Sequence, residues 1–123
     1  MQKRIKEFTD LEVWKSGHEL VILIYKITRK FPKSELFSLT SQMRRSSTSI
    51  TSNIAEGYGR NSYKEKLQFY YLAHGSLTEL KNQLFITKDV NIMDKKTFKN
   101  TMDILTKTQK LLLAFIKKTK SFT

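Results

Sequence analysis

There is no cysteine in these 123 residues, so neither a disulfide nor a thiolate-held metal belongs to the design. A reducing compartment is compatible with that. A single proline and four glycines leave few points at which the backbone is forced to break. The longest apolar runs, Leu20 to Tyr25 and Leu111 to Ile116, hold six residues each. About 20 are needed to cross a bilayer. The stretch Met1-Gln2-Lys3-Arg4-Ile5-Lys6-Glu7 has neither the apolar segment nor the cleavage site of a secretory signal. The expectation is a soluble cytoplasmic protein folded as one domain over residues 1–123, long enough for a single core.

Acidic side chains are also scarce: 11 Asp and Glu stand against 23 Lys and Arg, for a net charge of +12. The excess is uneven, since residues 91–123 hold eight lysines and two aspartates. A field of that sign attracts polyanions, among them RNA, DNA and anionic membranes.

The punctuation divides the chain into four helical segments. Asp10 precedes a periodic stretch over 11–30, where Leu11, Trp14, Leu20, Leu23 and Ile27 can share a face. Phe31-Pro32 ends it, because the residue before proline is pushed out of the helical region. Ser34 can cap a second helix over 35–56, which Gly57 and Gly59 would stop. Ser62 can cap a third over 63–88, whose Leu67, Phe69, Tyr70, Leu77, Leu80 and Leu84 need two faces. Asn91 or Asp94 opens a fourth over 94–118, with a seam of Phe98, Met102, Leu105, Leu112 and Ile116. No strand-like alternation of useful length appears. Four such helices joined by short connections predict an all-α, antiparallel up-down four-helix bundle.

The second helix is the most informative. Nine of the fifteen residues from Ser38 to Ser52 are Ser or Thr, which by composition alone reads as loop. Its spacing argues otherwise. Leu39, Met43, Ile50 and Ile54 recur at helical intervals, with small Ser46 and Ser47 filling the gap on the same face. Beside them runs a polar stripe of Gln42, Arg45, Ser49, Asn53, Glu56 and Arg60. One reading sets Arg44, Arg45, Asn53 and Arg60 against phosphates and bases. The reading favoured here joins Gln42, Arg45, Ser49, Asn53 and Glu56 with Glu79 of the third helix in a structural polar network or a subunit contact. Ser46, Ser47, Ser49 and Ser52, with Gly75 and Ser76, would let the two helices approach closely.

The residues that carry a family resemblance are Phe8-Thr9-Asp10-Leu11-Glu12-Val13-Trp14, Phe31-Pro32, Glu35, the block Gln42…Arg45…Ser49-Ile50…Asn53-Ile54-Ala55-Glu56-Gly57, Gly59-Arg60, and Gly75-Ser76-Leu77-Thr78-Glu79-Leu80. In these the chain resembles the four-helix bundle proteins also called 23S rRNA intervening-sequence proteins. Gly17 and Ser46 depart from the alanine expected there, and Gly17 should loosen the first helix by ~1 kcal/mol relative to Ala. The resemblance implies a ring-like homopentamer. It also implies two contexts: genes inside intervening sequences of bacterial 23S rRNA genes, and accessory proteins that bind RNA and the reverse transcriptases of diversity-generating retroelements.

For nucleic acid the better candidates are on the fourth helix, where Lys96, Lys99, Lys107, Lys110 and Lys117 fall along one outer face, interrupted by Asp103. Lys99–Asp103–Lys107 offers two i,i+4 pairs at ~0.2–0.5 kcal/mol each, too few to absorb five lysines. Such a stripe binds backbone phosphates with counterion release and little sequence preference. Arg44 and Arg60 join this candidate set. Tyr58, Tyr63 and Tyr71 are the aromatics least needed for the seams and the ones available to stack on bases. A membrane surface fits less well, because the Phe and Leu seam is required for the core.

Catalysis finds little footing. His18 and His74 lie on different helices, no metal-ligand spacing occurs on one helix, and there is no Gly-rich phosphate loop. Glu56 and Glu79 lack a nucleophile or pocket. The expectation is therefore a non-enzymatic, cofactor-free, basic homo-oligomer that binds RNA or DNA, with a protein scaffold recruiting an acidic partner as the alternative.

Overall fold

Two helices start on a side-chain cap. In the computed structural model, which describes residues 4–123, the Ser62 hydroxyl accepts the Glu65 backbone N–H at 3.1 Å and opens α3, Tyr63–Asp89. The Asp94 carboxylate accepts the Thr97 N–H at 2.7 Å and opens α4, Lys95–Lys120. Between them Asn91 adopts a left-handed φ of 64°. Its N–H returns to Lys88 O and that of Ile92 to Thr87 O, at 3.0 and 2.9 Å, which is a Schellman closure of α3. Of the two sequence candidates, Asp94 caps α4 and Asn91 ends α3.

The first two helices begin differently from expectation. α1 spans Glu12–Thr28 after a 3-10 turn at Phe8–Asp10, and no side chain caps it. Asp10 instead accepts the backbone N–H groups of Lys6 and Glu7 at 3.0 and 3.1 Å. α2 spans Ser41–Tyr58 rather than 35–56. A 3-10 turn at Lys33–Glu35 and a π-helical turn at Leu36–Thr40 lead into it, so Ser34 caps nothing. Nor do the glycines stop α2 by a left-handed turn, since Gly59 sits at φ −80°. Gly57 lies inside the helix for a packing reason: a β-carbon there would come within 2.6 Å of Tyr70 Cε1.

α1 packs on α2 and α4, and α3 packs on the same two. The contacts run in opposite directions along each pair, as an up-down bundle requires. Arg44 reaches Thr28 at one end of the α1–α2 seam, while Gly17 meets Ile50 and Thr51 further along. On α2–α3, Ser46 bonds Gln83 and Ser49 bonds Ser76. On α3–α4, Phe85 meets Phe98, Tyr70 meets Phe115 and Tyr63 meets Phe122.

The core between the helices holds Leu20, Ile24, Met43, Ile50, Ile54, Tyr70, Leu77, Leu80, Leu84, Leu105 and Leu112, all essentially inaccessible. The α2 seam is the one expected, apart from Leu39, which is half-buried. On α1 the buried face turns instead toward Val13, Ser16, Leu20, Val21, Ile24 and Thr28, leaving Trp14, Leu23 and Ile27 at its margin. On α4, Thr101, Thr108 and Thr119 share the buried face with Leu105, Leu112 and Ile116. These hydroxyls are tolerated because each donates back to its own helix: Thr101 to Thr97 O, Thr108 to Ile104 O and Thr119 to Phe115 O, at 2.7–2.9 Å. Gly17 does more than loosen α1. A β-carbon there would lie 3.1 Å from the Thr51 methyl, so the missing side chain lets α1 and α2 approach.

Candidate nucleic-acid interface

α4 is amphipathic, and with its Leu and Thr face turned inward the opposite face must meet solvent. Lys96, Lys99, Lys107, Lys110 and Lys117 are all exposed there. Lys99 pairs with Asp103 at 3.1 Å, an ion pair open to water on both sides. Lys107 takes no ion-pair partner among the described residues, so of the two i,i+4 pairs expected one forms. The stripe runs nearly the whole length of α4 and has Asp103 as its single acid.

The arginines are less free. Arg44 is half-buried, donates from Nε to the Thr28 hydroxyl at 2.9 Å and lies over the Tyr25 ring at 4.8 Å. It is chiefly a strut between α1 and α2, held away from the α4 face. Arg60, exposed, stacks on Phe69 at 4.5 Å. Its guanidinium keeps an outward edge, as stacked arginines do.

The polar stripe of α2 divides in two. Ser49 and Ser76 share a 2.8 Å hydrogen bond, and Asn53 Nδ2 donates to Ser49 O and Oγ at 2.8 and 3.1 Å. Gln42, Arg45, Glu56 and Glu79 are exposed, and no ion pair joins Arg45, Glu56 and Glu79 among the described residues. As a buried charged network within one chain the expectation is corrected; the exposed members keep their availability for a subunit contact. What spans the buried part is neutral. Ser46 donates to Gln83 Oε1 at 2.7 Å, and Gln83 Nε2 donates to Glu79 at 3.2 Å. Gln83 and the Ser16–Thr108 pair at 2.7 Å have no signature in the sequence, because a cross-helix partner leaves no local signal. Gly75 also departs from expectation, for nothing approaches within 4 Å of a β-carbon built on it.

At the end of the bundle where α1 and α3 start and α2 and α4 finish, a cavity of about 580 Å³ is lined by Tyr58, Tyr63, Tyr70, Phe115, Lys66 and Phe122, among others. Two of the three tyrosines singled out in the sequence thus meet, while Tyr71 lies apart, half exposed on α3. Burial, with a smaller contribution from neighbouring Tyr58, pushes the Tyr70 phenol up to about 12. Burial lowers Lys66, whose ammonium donates to Tyr58 O and lies 5.3 Å from that ring. The Thr97 backbone N–H holds the Asp94 carboxyl below its usual range.

His18 stacks on Trp14 at 4.6 Å with the rings 14° apart, and it is exposed. Among the described residues no three His, Cys, Asp or Glu side chains converge as a metal site would need. No helix is long and apolar enough to cross a membrane among the same residues.

A family model described as 23S rRNA-intervening sequence protein matches residues 9–114. Among solved structures, a protein of unknown function from the S23 ribosomal protein family of Bacteroides thetaiotaomicron VPI-5482 superposes with a TM-score of 0.80. It shares 22% sequence identity, and the match covers 85% of this chain and 98% of that one, a likeness of fold. No curated protein matches the chain significantly.

Proposed function

The chain belongs to the 23S rRNA-intervening sequence protein family, and from that premise we propose that it is a non-enzymatic, homo-oligomeric RNA-binding bundle that grips phosphates through α4. The observation that carries this reading is the stripe of five exposed lysines opposite the α4 core, relieved by one ion pair. Lysine ammoniums are compact charges on flexible stems, suited to phosphate oxygens and indifferent to base identity. DNA can meet the same stripe. Arg60 adds a further cation at another edge.

Assembly is supported by large apolar side chains left at the surface, with Ile22 52%, Leu72 56% and Leu113 47% exposed. Around a pentameric ring of the kind the family resemblance implies, the stripes of successive subunits would join into one positive belt.

A second reading, a scaffold recruiting an acidic protein such as a reverse transcriptase, draws on Phe37. It stands 92% exposed beside half-exposed Leu36 on the π-helical turn before α2. An apolar tip of that kind suits a protein contact better than a phosphate.

Fluorescence anisotropy with structured RNA, unstructured RNA and duplex DNA, each from low to physiological salt, tests the first reading. Binding that favours one nucleic acid and survives physiological salt is the expected result. Equal loss of all three as salt rises would reduce the charge to generic attraction and leave the scaffold.

A further inference from the structure

The tyrosine-lined cavity lies beyond the outer face of α4, yet it adjoins the end of the lysine stripe. Lys117 is the last member of that stripe, and Lys118, the next residue, lines the cavity rim. The wall is formed by Tyr63 and Phe122, stacked with ring centroids 5.1 Å apart and planes 25° from parallel. Both rings remain about half exposed, at 45% and 56%. A ring pair in that arrangement presents aromatic surface that no part of the described chain covers.

The floor is Tyr70. Its side chain is 1% exposed and its hydroxyl makes no hydrogen bond within the described chain; because no buried side-chain oxygen there lacks a partner, the hydroxyl is the part of Tyr70 that opens to the cavity. Open to the cavity, that hydroxyl can bond water or a polar group of an occupant. Because its ionisation lies far above neutral pH, the group is a protonated donor. Lys66 contributes an ammonium with one proton committed to Tyr58 O, leaving two to offer. The site therefore combines aromatic faces, a hydroxyl open to the cavity, and at its edge two lysines and the Glu12 carboxylate.

We propose that this cavity takes an unpaired nucleobase of bound RNA, stacked against Tyr63 and Phe122, with its phosphate held by Lys118 and Lys66. This rests on the RNA-binding reading and adds to it a preference that the lysine stripe alone cannot give. A phosphate stripe treats duplex and single strand alike, whereas an aromatic slot admits only a base that is out of its pair. The volume, about 580 Å³, lies within the range of small-molecule sites and leaves room for a base with its sugar.

The test uses the full-length chain and RNA hairpins carrying 2-aminopurine either in the loop or in the stem. Quenching of the loop probe on binding, with the stem probe unchanged, is the expected result. The Tyr63→Ala, Phe122→Ala double variant alters exposed rings and should fold normally. It should lose the quenching and bind single-stranded RNA roughly ten-fold more weakly, with duplex affinity unchanged. Tyr70→Phe keeps the ring and removes the hydroxyl, and should weaken loop binding alone. Free adenosine monophosphate, followed by saturation-transfer NMR, reads the cavity without the stripe: transfer to the base protons in the wild type and not in the double variant supports the proposal. If neither the loop probe nor the free nucleotide responds while RNA still binds, the cavity assignment falls and the α4 reading stands. If the nucleotide responds and no RNA binds, the α4 reading falls and the proposal with it, leaving a site for a free nucleotide. A lowered oligomer mass in the double variant would make the rings a subunit contact and overturn the proposal.

Discussion

Gly57 and Tyr70 occupy one volume: the Tyr70 ring fills the space that a β-carbon on Gly57 would need, 2.6 Å from Cε1. Tyr70 is fully buried and also packs on Phe115 at 4.7 Å, so displacing the ring disturbs a second contact. Gly57→Ala gains helix propensity yet forces the ring or the helix to move. The net loss should be ~1–3 kcal/mol, the usual cost of overpacking, read by urea denaturation. Unchanged stability would mean that α2 and α3 separate at no cost there.

The Ser46–Gln83 bond makes an opposite kind of prediction. Ser46→Ala leaves the Gln83 amide oxygen buried without its donor and should cost ~1–3 kcal/mol. The double variant Ser46→Ala, Gln83→Leu removes both polar groups and should recover most of that loss. A double variant as unstable as the sum of its parts would show that the bond is incidental.

Replacing Lys99, Lys107 and Lys110 with Ser removes three exposed charges and no core contact. Thermal stability and oligomer mass should be retained. RNA affinity should drop, and the slope of log affinity against log salt should shrink by about 2–3, at 0.7–0.9 per lost phosphate contact. An identical slope would move the phosphate site off α4.

Tyr70 predicts the response to alkali. Its phenol ionises at about 12 in the fold and near 10 when unfolded. Above pH 10 the unfolded chain therefore releases a proton that the folded chain keeps, and stability falls as pH rises from 10 to 12. The contribution is on the order of 2 kcal/mol, present in full below pH 10. Denaturation midpoints across that interval should decline in the wild type and less steeply in Tyr70→Phe.

Much of this fold is legible in the sequence because its signals are local. Ser62 and Asp94 announce helix starts by residue type, and Met43, Ser46, Ser47, Ile50 and Ile54 keep a helical spacing that survives the surrounding Ser and Thr. The outward lysines of α4 follow from the same periodicity. The inward face of α1 does not, because hydropathy ranks Trp14 and Leu23 above Ser16 and Thr28. The fold reverses them, since Thr28 hides its hydroxyl on Ile24 O at 2.7 Å. Gly57 reads as a terminator until Tyr70 is seen against it. The exposure of Arg45, Glu56 and Glu79 was equally invisible, for a charged stripe beside an apolar seam looks the same whether it faces a neighbour or water. The cavity needs residues from both ends of the sequence and leaves no pattern in either.

The seams differ in how they are tied. Directional hydrogen bonds cross α1–α2 at Arg44–Thr28, α2–α3 at Ser46–Gln83 and Ser49–Ser76, and α1–α4 at Ser16–Thr108. Among the described residues no side-chain hydrogen bond or ion pair crosses α3–α4, where Phe85–Phe98 and Tyr70–Phe115 meet ring to ring, Lys88 lies over Phe98 at 4.5 Å, and Tyr63 stacks on Phe122 just past the end of α4. Ring pairs prefer offset or tilted arrangements but fix no donor–acceptor pair, so this seam is held by shape and area instead of by hydrogen bonds. Ser16–Thr108 is thus the one side-chain hydrogen bond that ties α4 to a neighbouring helix among the described residues, and Thr108→Val would leave that helix held by packing alone.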